Sequence, residues 1–409
     1  MILDIINKKR LGKELTYQEL DTIFNGYLEG EVLDYQMSSL LMAICINGMS
    51  DEEIFALTKI FIDSGDVLDF SMIDGVKVDK HSTGGIGDKT TLVIAPIVAS
   101  LGIPVIKMSG RGLGYTGGTI DKLESIPGYR INLKEGEILK QLQDIKIAIT
   151  GQTASLVPMD KAIYALRDVT ATVSSIPLIA SSIMSKKIAG GADKILIDIK
   201  VGRGALLQTK QDAKELSNLM IRIGKFYQRE VRTVISDMDV PLGRAIGNSL
   251  EVQEAIDVLK GEETDNEFVR LCFDLASEMV SMGKNISKEE AYEQVVECVK
   301  NGSAYQKFLD LVAHQKGDLT KMKISSKTKT IEAKSSGIIK KIDALEVGKL
   351  ALSLGTGKET LDDTIDHSVG IYLNKLVGDK VKKGDVLATI YIGKKNPPIS
   401  YDFIFTIDV

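Results

Sequence analysis

The stretch from Lys80 to Glu124, KHSTGGIGDKTTLVIAPIVASLGIPVIKMSGRGLGYTGGTIDKLE, constrains this chain most. Two glycine-rich loops, His81–Thr91 and Ser109–Asp121, each follow a short β-like run, and each opens an apparent helix. Glycine lets the backbone take positive φ and approach a ligand closely. The first turn of a helix leaves amide N–H groups unpaired and suited to an anion. Two such loops side by side predict a pocket for an oxyanion, with phosphate the best candidate.

The same texture continues along the chain. Val76–Val78, Pro104–Met108, Ile147–Ile149, Ile195–Ile199 and Thr233–Ser236 are short β-branched-rich runs separated by helical spans. Strands alternating with helices imply an α/β domain with a mostly parallel central sheet. The first 65 residues read as helical throughout. Thr16 with Glu19, and Ser50 with Glu53, have capping-box spacing, and Leu40, Leu41, Ile44, Ile54, Leu57 and Phe61 recur at helical intervals. A second helical patch near Lys161–Ala189 interrupts the strands. The expected layout is a small helical domain from 1–65 and 159–190, an α/β domain from 66–158 and 191–327, and a C-terminal α+β module over 328–409. In that module Gly337–Ile342, Gly370–Leu373 and Leu387–Ile392 read as strands, with turns at Gly378-Asp379 and Gly384-Asp385.

A chain of 409 residues exceeds one typical core. Its hydrophobic content of 44% is that of an ordinary globular protein. The net charge of −5 argues against a nucleic-acid or membrane-surface role. An anionic ligand then needs local positive charge, and Lys80, Lys107 and Arg111 sit inside the loop region. Cys45, Cys272 and Cys298 show no metal or disulfide spacing, which suits a reducing cytoplasm. The N-terminal MILDIINKKR has no signal-peptide pattern, and no run of about 18 apolar residues suggests a membrane span.

Several motifs admit more than one reading. Gly112-x-Gly114-x-x-Gly117 matches the dinucleotide fingerprint in form, but its loop is longer than a tight βα turn. Gly87-Asp88-Lys89-Thr90 ends like a phosphate-binding P-loop, yet the required spacing fails. His81 stands at a strand end, where an open α/β sheet binds ligands, while His314 and His367 read as structural or surface residues. Ser182 and Lys186, spaced i,i+4, share one helix face near Arg167-Asp168; the alternative is a solvated face. The run from Val377-Gly378-Asp379 to Gly384-Asp385-Val386-Leu387 resembles a biotinyl or lipoyl carrier hairpin without the lysine turn that carries the cofactor.

The run Ser109-Gly110-Arg111-Gly112 through Glu124 resembles the signature of the thymidine and pyrimidine-nucleoside phosphorylase family. The resemblance extends through Lys80-His81-Ser82, Gly151-Gln152-Thr153, Tyr164–Val173 and Ser174–Lys187, nearly the whole chain. It implies an α domain facing an α/β domain across a cleft, in a homodimer. Also implied is reversible phosphorolysis of uridine, deoxyuridine or thymidine, with phosphate as co-substrate and no organic cofactor. Phosphate would be held by Lys80, Ser82, Thr91, Lys107, Ser109 and Thr119, and the pyrimidine by His81, Arg167, Ser182 and Lys186. His81, Arg167 and Lys186 would then act on the departing base. Runner-up readings are a phosphoribosyltransferase of related fold and a non-catalytic nucleotide-binding protein.

Three positions depart from the family pattern. Tyr115 stands where histidine is common. Leu206-Leu207 replaces an aromatic-containing run at the base pocket. Lys89 takes a position that usually holds threonine. The resemblance implies a potassium site there, completed by Gly87, Leu242, Ala245 and Glu254. Either the Lys89 ammonium replaces the ion near Glu254, or its side chain points to solvent and only its carbonyl serves the ion.

Overall fold

The computed structural model describes residues 1–409 apart from 113, 114, 116, 359–362, 396, 398–402 and 409. Gly114 of the fingerprint-like run thus lies outside the described residues. The chain forms two compact units, the first built from Met1–Met72, Gln152–Ile197 and Lys210–Thr233, the second from Ile73–Gly151, Asp198–Thr209 and Val234–Val409.

Helices dominate the first unit. Ile2–Arg10, Tyr17–Leu28, Asp34–Asn47 and Asp51–Asp63 come from its first segment. Both expected capping boxes form: Thr16 and Ser50 accept from the backbone N–H of Glu19 and Glu53, whose carboxylates reach back to the cap N–H groups. Each cap is worth about 1 kcal/mol. Glu53 does more, because its buried carboxylate also accepts from the Lys9 ammonium at 2.7 and 2.8 Å and from Leu15 N–H at 2.8 Å. Leu40, Leu41, Ile44, Ile54, Leu57 and Phe61 are all buried, so the apolar stripes face the core as their spacing requires.

Pro158–Asp168 and Ile176–Ala189 supply the second helical patch. The helix Lys210–Phe226 departs from the expected layout, which assigned it to the α/β domain. It belongs to the first unit, where it packs on Ile176–Ala189. Its amphipathic face buries Leu216, Leu219, Met220 and Ile223, and Phe226 stacks on Phe55 at 4.5 Å.

The second unit carries the glycine-rich loops. Val78–Ser82 is followed by Val105–Ser109, which pairs in parallel with Ile147–Gly151. The first of these strands starts two residues later than expected and ends on the polar Lys80-His81-Ser82. Following the first loop, the helix Thr90–Ser100 is buried from Thr90 to Ala99 and packs against the helices Glu267–Lys284 and Ser303–His314. A helix apolar all round belongs inside a core.

The C-terminal module belongs to this second unit. Gly337–Ile342, Gly370–Leu373 and Val386–Tyr391 form in antiparallel sheets close to the expected bounds, joined by Thr328–Glu332, Lys380–Val381 and Phe405–Asp408. The short strand Ala245–Ile246 pairs with Gly370–Leu373, which ties the module to the α/β part. The helix Ala344–Leu354 gives the module its α part and is capped by Asp343, which accepts from Glu346 N–H.

Candidate active site

Side chains alternate along a strand, so Lys80 and Ser82 share one face of Val78–Ser82 and His81 takes the other. Lys80 is buried and its ammonium donates to Thr90 Oγ1 at 2.6 Å, with Asp198 Oδ2 at 3.6 Å. Lys107, on the parallel strand Val105–Ser109, is also buried. Lys80, Lys107 and Thr91 line one small cavity together with Asp79. The space is only about 10 Å³, far smaller than a phosphate, so three of the six expected anion ligands are neighbours without enclosing a phosphate-sized pocket. Ser109 and Thr119 stand half-buried at a strand end and a helix start, and neither lines that cavity. Ser82 turns its hydroxyl to the Asp88 carboxylate and accepts from Gly84 N–H at 3.2 Å.

Around this set lies a charge network, buried except at the partly exposed Asp88, that sequence spacing does not reveal. Asp88 accepts from Thr90 Oγ1 at 2.6 Å, and Lys200 pairs with Asp198 at 2.7 Å. Lys122 donates to the carbonyls of Asp88 at 2.5 Å and Gly117 at 3.1 Å and pairs with Glu251 at 3.0 Å. Burial alone would push the Asp88 carboxyl up. Lys80, Lys200 and Lys122, with the Ser82 hydroxyl, outweigh it and hold the group well below the usual carboxylate range. Arg111, by contrast, is half-exposed and already neutralised by Asp121 at 2.9 Å and Glu124 at 2.5 Å. Asp121 also accepts from Gly112 N–H at 2.7 Å and Gly118 N–H at 3.2 Å, which pins the ends of the second loop.

The other expected ligands lie in the first unit. Arg167, on Pro158–Asp168, is buried and donates to the carbonyls of Thr172 at 3.2 Å, Val173 at 2.7 Å and Leu178 at 3.2 Å. Burial pushes its guanidinium below its ordinary value, and Asp160 opposes the shift. Ser182 and Lys186 share a face of Ile176–Ala189, as their spacing predicts, and the ammonium donates to Ser182 Oγ at 3.1 Å. Lys186 also pairs with the buried Asp160 at 2.7 Å. The Arg167 guanidinium and the Lys186 ammonium stand 5.6 and 5.7 Å from the Tyr164 ring centroid. Asp160 and Tyr164 are additions to the expected set, although Asp160, Tyr164 and Arg167 follow an i, i+4, i+7 pattern that places them on one helix face. Two cations, one carboxylate and a hydroxyl leave net positive charge, the right sign for a group that gains negative charge.

The three departures resolve differently. Tyr115 is exposed. Leu207 is buried and bridges Val201, whereas Leu206 is 37% exposed, so only Leu206 presents its side chain outward. The Lys89 side chain is wholly buried.

A family model described as the helical bundle domain of a glycosyl transferase family matches residues 3–65, and one for the a/b domain of that family matches 74–305. A third, the pyrimidine nucleoside phosphorylase C-terminal domain, matches 338–401. Similar proteins include the pyrimidine-nucleoside phosphorylase of Bacillus subtilis, 51% identical over 97% of this chain and 93% of that protein. Those of Staphylococcus haemolyticus (50%, covering 97% and 93%) and Geobacillus stearothermophilus (51%, covering 96% and 92%) are equally near. Among solved structures, anthranilate phosphoribosyltransferase from Thermus thermophilus superposes with a TM-score of 0.59 at 16% identity, covering 76% of this chain and 99% of that one. That likeness is one of fold alone. Three domain matches in order, and about half of all residues shared over nearly the full length, place this chain in the pyrimidine-nucleoside phosphorylase family.

Proposed function

We propose that this chain is an enzyme that phosphorolyses pyrimidine nucleosides reversibly, taking uridine, deoxyuridine or thymidine to free base and (deoxy)ribose 1-phosphate. A phosphate oxygen attacks C1′ of the sugar. The bond from C1′ to the base nitrogen breaks, and its electron pair leaves with the base. Lys80, Thr91 and Lys107 hold the phosphate in this reading, with Ser82, Ser109 and Thr119 as further donors. Arg167 and Lys186 stabilise the charge that develops on the departing base, where fixed cations act most strongly. Ser182 hydrogen-bonds the ring edge, and His81 donates a hydrogen bond or proton to a base carbonyl.

The observation that carries the reading is the arrangement of Arg167 and Lys186 about one tyrosine ring, with Ser182 and Asp160 fixing the ammonium. A phosphoribosyltransferase is supported by likeness of fold only. Phosphate is the co-substrate, and the same reading includes a homodimer and a cytoplasmic location. Among the described residues no helix is long and apolar enough to cross a membrane. The test is a nucleoside panel with and without phosphate. Uracil release from uridine or deoxyuridine only with phosphate or arsenate is expected, with purine nucleosides inert. Equal release in phosphate-free buffer would overturn the reading.

A further inference from the structure

Lys89 stands at the N-cap position of Thr90–Ser100, where its side chain makes no cap bond, and 1% of its surface is exposed. Its ammonium donates to the carbonyls of Leu242 at 2.6 Å and Ala245 at 2.9 Å and pairs with Glu254 Oε2 at 2.6 Å. The ammonium has three N–H groups, and three acceptors meet it. The Phe268 ring closes the site, its centroid 4.8 Å from Nζ. Glu254 also accepts from Arg244 N–H at 2.7 Å and Ala245 N–H at 2.8 Å, so one carboxylate organises the whole turn. The turn tolerates no side chain at Gly243, whose φ is +74° and whose Cβ would stand 2.6 Å from Glu254 Oε1 and 2.8 Å from Lys89 Nζ. Gly87, at φ +74°, lies as tightly on the same turn, since a Cβ there would meet the Leu242 carbonyl at 2.7 Å.

Two backbone carbonyls, a carboxylate oxygen and an aromatic face are the donor set of a dehydrated monovalent cation. A potassium ion drawing on these groups does not fit beside the lysine. It would share their oxygens with the ammonium, two like charges in a buried space. We propose that the Lys89 ammonium is itself the cation of this site. It ties the first glycine-rich loop to the Leu242–Ala245 turn without any metal. The next residue, Thr90, bridges Lys80 and Asp88, and Thr91 lies beside Lys80 and Lys107. Lys89 is therefore a positioning residue for the anion donors, and that consequence rests on the phosphorolysis reading.

The test reads thermal melting without substrate, at matched ionic strength in potassium, sodium and choline chloride. The unaltered protein should melt within about 1 °C in all three, because a tethered charge has no free concentration to vary. Lys89→Thr opens the space. It should melt lower than the parent in choline and recover by about 3 °C or more, saturably, as potassium is added. Lys89→Met fills the space without charge and should not recover. Potassium-specific stabilisation of the unaltered protein overturns the inference. So does a folded Lys89→Thr protein indifferent to potassium, or a Lys89→Met protein rescued by it. Should Lys89→Thr fold in none of the salts, the unaltered protein's melting curves decide alone. Absence of phosphate-dependent base release would sink the phosphorolysis reading and leave these curves unaffected.

Discussion

Asp160 holds the Lys186 ammonium at 2.7 Å from a carboxylate that is itself 1% exposed. Neither of its oxygens accepts a well-directed hydrogen bond among the described residues, so the ion pair is its main compensation. A buried charge balanced this way fixes its partner's position. Lys186→Ala should lower kcat/KM by roughly 10²–10³, as for loss of one donor to developing charge. Asp160→Asn keeps the shape and removes the charge, and should lower kcat/KM about tenfold or more, mainly through kcat. If Asp160 acts through Lys186, the double variant should be little worse than Lys186→Ala alone. Additive losses would show that Asp160 has a separate role.

Arg167 serves two ends. Its guanidinium ties the connection from Thr172 to Leu178, and it faces the Tyr164 ring beside Lys186. Arg167→Ala should therefore lower kcat/KM by roughly 10²–10³ and also lower the melting temperature, since three carbonyls, two of them in buried bonds, lose their donor. Arg167→Lys should restore little, because an ammonium cannot reach three divergent carbonyls as a planar fork does. Unchanged kinetics in folded Arg167→Ala would remove it from the site. His81→Ala should slow turnover with less effect on melting, as its position at a half-buried strand end suggests.

Asp88 links the anion site to acid stability. Its folded pKa lies well below the ordinary 3.8. The stability it contributes is thus fully present above the unfolded carboxylate pKa. It fades as pH falls below that value and is gone once pH passes the folded one. Asp88→Asn should destabilise the protein at pH 7, and the gap between variant and parent should narrow in acid below about pH 4. Urea melts at several pH values check this. A gap that is constant with pH would mean that the lysines around Asp88 do not stabilise its charge.

What is legible in the sequence is local. Capping boxes and apolar stripes span a few residues each, and they form as their spacing requires. Ser182 and Lys186 are legible for the same reason, being one helical turn apart. The network of Asp88, Lys122, Lys200, Asp198 and Glu251 is not, because its members are brought together only by folding. Asp160 escapes a sequence reading because a single acidic residue on a helix is usually solvated, and only its burial marks it out. The amphipathic pattern of Lys210–Phe226 predicts a helix but not which core receives it. Ala344–Leu354 hides behind a central glycine, Gly348, whose absent side chain lets Ile86 and Tyr115 pack close.

The resemblance implies an aromatic-containing run where Leu206 and Leu207 stand, and the two leucines have different surroundings. Leu207 is 4% exposed and tied into a bridge with Val201, whereas Leu206 is open. An aromatic side chain offers a flat face on which a pyrimidine ring can stack, worth about 1 kcal/mol beyond simple burial. Leucine offers none, so base binding should be weaker and the substrate range broader than in an aromatic-bearing relative. Leu206→Phe should lower KM for at least one of uridine, deoxyuridine and thymidine, by about fivefold if the stacking term is realised in full. Leu207→Phe should instead overpack the core and destabilise the fold by about 1–3 kcal/mol. Steady-state kinetics on the three nucleosides and a melting curve for each variant decide the matter. Identical KM values throughout for Leu206→Phe would place that side chain outside the base pocket.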